Sequence, residues 1–143
     1  MSAMTLFIIW CVCASVLVMS MCIARAKIAS YFGGSAAVGV LPVVGDMLVI
    51  NMSGMSEVFA FVFGLDALLS LACLLVAPMI PLISGYVMIA GIVLGCVWIL
   101  LWVIFCIMLA RRLGHSFVFG LFCSILPFVG FPMMAWQLPQ SKY

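Results

Sequence analysis

Charge is what this chain has least of. Only three acidic and five basic residues occur among its 143, with a single histidine. At 6% charged, against roughly 25% in soluble domains, there is too little polar surface to coat a water-soluble globule of this size, where surface is large relative to volume. A net charge of +2 is too small to argue for nucleic acid as a partner. One histidine cannot make a multi-histidine metal site, and phosphate-loop, zinc-protease and dinucleotide patterns are absent. No catalytic role and no cofactor is expected, and no stretch reads as a soluble domain.

What the chain does have is apolar length. Seventy per cent of it is hydrophobic, arranged in runs over 5–24, 31–50, 58–77, 83–110 and 117–136. The first run is 20 uncharged residues, about 30 Å as a helix, which matches a hydrocarbon core. It is longer than the ~7–15 apolar residues of a cleaved signal and has no basic side chain before it, so a retained helix is expected. The run 58–77 contains Asp66, yet twelve Leu, Val and Phe residues favour insertion by roughly 4–7 kcal/mol against about 2.5–3.5 for one central acid. The 28 residues of 83–110 exceed the core thickness and should tilt or project. Within them Gly91 and Gly95 share a face that lets another helix approach closely. That helix can belong to this chain or to a second copy. Trp98 and Trp102 lie one turn apart as lipid-facing or packing aromatics.

Two runs are interrupted. Tyr31 to Ile50 holds four glycines, Pro42 and Asp46, so a pair of half-helices fits as well as a clean span. Phe117 to Trp136 holds Pro127 and Pro132 and can either re-enter or cross. The two resemble each other in wider context. Ala24-Arg25-Ala26-Lys27 leads to Leu41-Pro42-Val43-Val44-Gly45, and Ala110-Arg111-Arg112 leads through Leu113-Gly114-His115-Ser116-Phe117 to Leu126-Pro127-Phe128-Val129-Gly130. Ala-Arg to Leu-Pro is 17 residues in the first copy and 16 in the second, which reads as an internal repeat.

Basic residues prefer the cytoplasmic side. With Arg25 and Lys27 inside, and Arg111 and Arg112 also inside, one of the three intervening runs must fail to cross. The expected fold class is therefore all-α integral membrane, with about four transmembrane helices plus one proline-interrupted or re-entrant segment, 31–50. A rival arrangement has five spans and inverted copies, but it places Arg111 and Arg112 outside. The seven cysteines all lie in apolar runs and read as small buried hydrophobes.

The polar residues left as site candidates are few. Asp66 and Asp46 are the intramembrane carboxyls, which mark either an ion or proton path or a polar contact between helices. Arg25, Lys27, Arg111, Arg112 and His115 read as flanking or headgroup-facing groups. His115 beside Ser116 lacks an acid to orient it, so a nucleophile–base pair is unsupported.

Leu113-Gly114-His115-Ser116-Phe117, Phe119-Gly120-Leu121 and Leu126-Pro127 resemble the C-terminal signature of a small uncharacterised bacterial multi-pass membrane family. That family carries repeated Phe-Gly-Lys-Ser and Leu/Ile-Pro elements and sometimes occurs fused to signal-peptidase-like proteins. The resemblance covers about Ala110–Trp136, and 31–50 is similar to its earlier proline-centred element. His115 stands where the family has lysine, and the family's aromatic-rich first loop is missing. The resemblance implies a bacterial inner-membrane location, and the family has no established activity to carry over. The expected function is a non-enzymatic subunit or accessory component of a membrane assembly, meeting the lipid bilayer and either a second copy or other membrane proteins. The alternative is a small channel, transporter or membrane-permeabilising effector using Asp66 and Asp46.

Overall fold

The computed structural model describes residues 3–41, 43–79 and 84–138. Pro42 of the run 31–50 and Ile83, the first residue of the run 83–110, lie outside them. The described residues are helical, with no strand among them: α1 (Ala3–Tyr31), α2 (Ala36–Gly39), α3 (Val44–Met52), α4 (Glu57–Val76), α5 (Ser84–Arg112), α6 (Phe117–Ile125) and α7 (Pro127–Gln137). Helix is what lipid demands, because an apolar solvent leaves no other partner for backbone N–H and C=O groups.

Three helices are long and apolar enough to cross a membrane, over 4–31, 57–79 and 84–112. This is one fewer than the sequence led us to expect. The difference lies at 117–136, which is two short helices. Pro127 excludes the helical region for the residue before it, and Leu126 accordingly takes φ −121° and ψ 66°. Its carbonyl then starts α7 by accepting from Val129 N and Gly130 N at 3.1 and 2.8 Å.

Three corners of one design link the helices. In each, a glycine with positive φ closes one helix and a serine two residues later opens the next. The glycines are Gly33 (φ 85°), Gly54 (φ 75°) and Gly114 (φ 81°). The paired closing bonds of a Schellman turn recur at all three: Gly34 N to Ala29 O with Gly33 N to Ser30 O, Met55 N to Ile50 O with Gly54 N to Asn51 O, and His115 N to Ala110 O with Gly114 N to Arg111 O. Ser35, Ser56 and Ser116 follow with extended backbone at the N-cap. Only Ser116 uses its hydroxyl there, accepting from Phe119 N.

The corners share one end of the bundle. A side chain at Gly33 would meet Met52 of α3 at 3.8 Å, and one at Gly54 would meet Arg112 at the same distance. Arg112 Nη2 also donates to Gly54 O at 3.2 Å. Helix α3 therefore doubles back beside α2. It leaves no room for a Cβ on Gly45, which would sit 2.5 Å from Gly39 O. Helix α7 doubles back beside α6 likewise, with Gly130 pressed on Cys123. In both reversals the first residue of Leu-Pro-x-Val-Gly accepts from its last, Gly45 N to Leu41 O and Gly130 N to Leu126 O, each at 2.8 Å.

Helices α4 and α5 pair most extensively, α6 lies on α5, and α1 carries α2, α3 and α7. Gly91 and Gly95 pack inside the chain: a Cβ on Gly91 would touch Cys73 at 3.1 Å, and one on Gly95 would touch Ser70 Oγ at 3.4 Å. An assembly of copies must therefore use another face.

Candidate functional site

The most polar place in this apolar interior is made by two residues 21 positions apart. Helix α1 runs past Arg25 for six further residues before its corner. At about 1.5 Å per residue this sets Arg25 roughly 12 Å below Gly33. Gly39 presses α2 against Ala26 and Ala29, the chain reverses after Leu41, and α3 opens with Asp46 in its first turn. Arg25 Nη2 then donates to Asp46 Oδ2 at 2.8 Å. Arg25 is 8% exposed and Asp46 2%.

Asp46 is held twice over. Besides Arg25, its place in the first turn of α3 sets the carboxylate at the positive end of the helix dipole. Val43 has φ 64° and ψ −59°, the dihedrals of a strained γ-turn, and a β-branched residue there costs energy that its surroundings must offset. Aromatic rings close over the cation. Arg25 Cζ lies 6.0 Å from the Trp102 ring centre and 5.8 Å from that of Phe131, within cation–π range. Trp102 stacks on Phe131 at 5.7 Å and donates from Nε1 to Ser124 O at 3.3 Å. Arg25 Nε and Asp46 Oδ1 have no partner among the described residues.

This corrects the reading of Arg25 as a flanking, headgroup-facing group. The sequence aligned it with Arg111, but α5 ends one residue after Arg111 whereas α1 continues for six after Arg25. The corners give the structural register instead. Six residues beyond Gly33 and Gly114 come Gly39 and Gly120, and four before them come Ala29 and Ala110. Gly39 abuts Ala29, and Gly120 abuts Ala110 and Ile107. In this register Arg25 corresponds to Cys106, and Arg111 corresponds to Ser30.

The remaining candidates are placed apart from the pair. Asp66, 8% exposed, sits on α4, whose Ser70 one turn on donates to Gly91 O of α5 at 3.2 Å. Its Oδ2 and the Nε1 of Trp98 are both buried without a partner among the described residues. Lys27, Arg111 and Arg112 are exposed. His115 lies in the third corner with its ring 4.7 Å from that of Phe119, and the Ser116 hydroxyl accepts from Phe119 N as an N-cap. The described residues hold no cluster of three or more His, Cys, Asp or Glu able to bind a metal. Sequence reading missed Trp102 and Phe131 as the lid over a charge. It missed the middle corner too, although Gly54-Met55-Ser56 repeats the Gly-x-Ser spelling of the other two.

Comparison with protein families, curated proteins and solved structures returns no match.

Proposed function

We propose that this chain is a non-enzymatic, multi-pass membrane component that works by assembling through its helices with other transmembrane segments. One observation carries the reading. Near its corner α1 is sheathed by α2, α3 and α7, but among the described residues from Met4 to Met19 none is buried. Met4, Phe7, Trp10, Val16 and Met19 are 60–73% exposed. The two reversing segments stop roughly half-way down and leave that stretch bare. Lipid can bathe it, and a helix from a second copy or another protein can cover it without repacking the core.

In this reading the corner end, with Lys27, Arg111 and Arg112, faces the cytoplasm of a bacterial inner membrane, and the N-terminus faces out. The two corner-plus-reversal units are copies of one repeat, and the likeness to the small bacterial multi-pass family supports the same placement. Conduction through Asp46 and Asp66 is the weaker reading. Asp46 is committed to Arg25, which leaves one carboxyl where a relay needs several groups. The test is extraction in a mild detergent followed by native mass spectrometry, with cross-linking at the exposed Cys13 in membranes. Dimers or a copurifying membrane protein are expected. A bare monomer that never cross-links would overturn the proposal.

A further inference from the structure

Two grooves meet on the flank of α1. One, of about 420 Å³, runs between Ala26, Ser30, Tyr31, Ala36 and Leu138. The other, of about 300 Å³, runs between Ser20, Pro132, Ala135 and Trp136. Ile23 and Lys27, one turn apart, line both, so the grooves form one channel along the helix. Its walls are apolar except for Lys27 and the hydroxyls of three residues. Each volume is in the ~300–1,000 Å³ range of ligand sites.

The charge is what selects an occupant. Lys27 is exposed and makes no ion pair, since Arg25–Asp46 is the one ion pair among the described residues. Asp46 is sealed inside, Asp66 faces the α4–α5 seam, and Glu57 opens α4, so no acid lines the channel. Lys27 lies six residues below Gly33, about 9 Å. A lysine stem that snorkels toward the corner can cover most of that distance. Ser30 and Tyr31 stand there with it, and Trp136, 87% exposed, flanks the deeper part.

We infer that this channel holds one anionic glycerophospholipid of the surrounding leaflet, its phosphate on Lys27 Nζ and the Ser30 hydroxyl, and an acyl chain along Ile23, Pro132 and Trp136. A zwitterionic lipid offers the same chains but no net charge to answer the lysine, so the site discriminates by headgroup.

The full chain in mild detergent, given equimolar phosphatidylglycerol and phosphatidylcholine, tests this by native mass spectrometry. One retained phosphatidylglycerol is expected, preferred by about fivefold. Lys27→Gln should abolish the preference and Lys27→Arg should keep it. Ala135→Trp, which fills the deeper groove, should lower retention of both lipids, and the double change Arg111→Gln with Arg112→Gln should leave the preference intact. Equal retention of the two lipids by the parent chain overturns the inference. So does a preference that survives Lys27→Gln, or a second protein copy found in place of the lipid.

Discussion

Arg25 and Asp46 meet at 2.8 Å with both side chains buried, and this contact fastens the α2–α3 reversal to α1. Neither charge has water to return to. Removing one partner strands the other, which costs about 3–5 kcal/mol, whereas replacing both with apolar groups of similar volume is often neutral. Arg25→Gln and Asp46→Asn should each lower the thermal midpoint sharply, while Arg25→Met combined with Asp46→Leu should recover most of the loss. Intrinsic tryptophan fluorescence during unfolding reads it, since Trp102 lies against the pair. A double variant as weak as the sum of the singles would show that the contact is not the fastening.

The close approaches of the short helices make a second, graded expectation. A Cβ on Gly39 would lie 2.7 Å from that of Ala29, and one on Gly120 would lie 2.6 Å from Ile107 Cα, while at Gly85 nothing lies within 4 Å. Overpacking of this kind costs about 1–3 kcal/mol. Gly39→Ala and Gly120→Ala should therefore destabilise alike, and Gly85→Ala should change stability by less than about 0.5 kcal/mol. Unfolding in a titration of denaturing detergent measures all three. Equal effects across the three would dismiss the packing argument.

How far the sequence could be read follows from which signals are local. Length and apolarity place α1, α4 and α5, and Pro127 is visible as a break, because each acts on its own few residues. The burial of Arg25 is not local. It depends on α1 continuing to Tyr31 and on a reversal that brings back a carboxyl 21 residues later, while a basic residue after an apolar run looks the same whether it faces headgroups or a buried acid. Gly-x-Ser was there to be read three times. Aligning by charge instead of by those glycines shifted the two halves by five residues and paired a core arginine with a surface one. Gly91 and Gly95 were legible as a helix seam, but nothing in the spelling says whose helix fills it.

Val43 provides a test of stored strain. With φ 64° and ψ −59° it occupies a region that glycine enters freely. Strain of this kind is worth about 1–3 kcal/mol, so Val43→Gly should raise the thermal midpoint despite losing a half-buried side chain. A marked fall would mean that the valine's packing outweighs its backbone cost.

The three corners at one end make a topological prediction. Cysteines placed at Ser35, Ser56 and His115, in a background whose native exposed cysteines are replaced by serine, should all react with a membrane-impermeant maleimide from the same side. A cysteine at Leu126, at the tip of the second reversal, should stay unlabelled from either side. Reaction of the Ser35 and Ser56 positions from opposite sides would mean that 36–52 crosses.

Asp66 decides between structure and conduction. Among the described residues its Oδ2 is buried without a partner, as is Trp98 Nε1, and an unsatisfied buried group costs about 1–3 kcal/mol. A residue kept only for packing should be improved by removing that cost. Asp66→Leu is therefore expected to raise the thermal midpoint, and Asp66→Asn, which adds a donor at the same size, should match or exceed the parent. Proton and ion flux across liposomes holding either variant should equal that of the parent chain. The opposite pattern, stability unchanged or lower with flux abolished by Asp66→Asn, would make the carboxyl a conducting group, because a transport path can retain a costly oxygen that packing alone would discard.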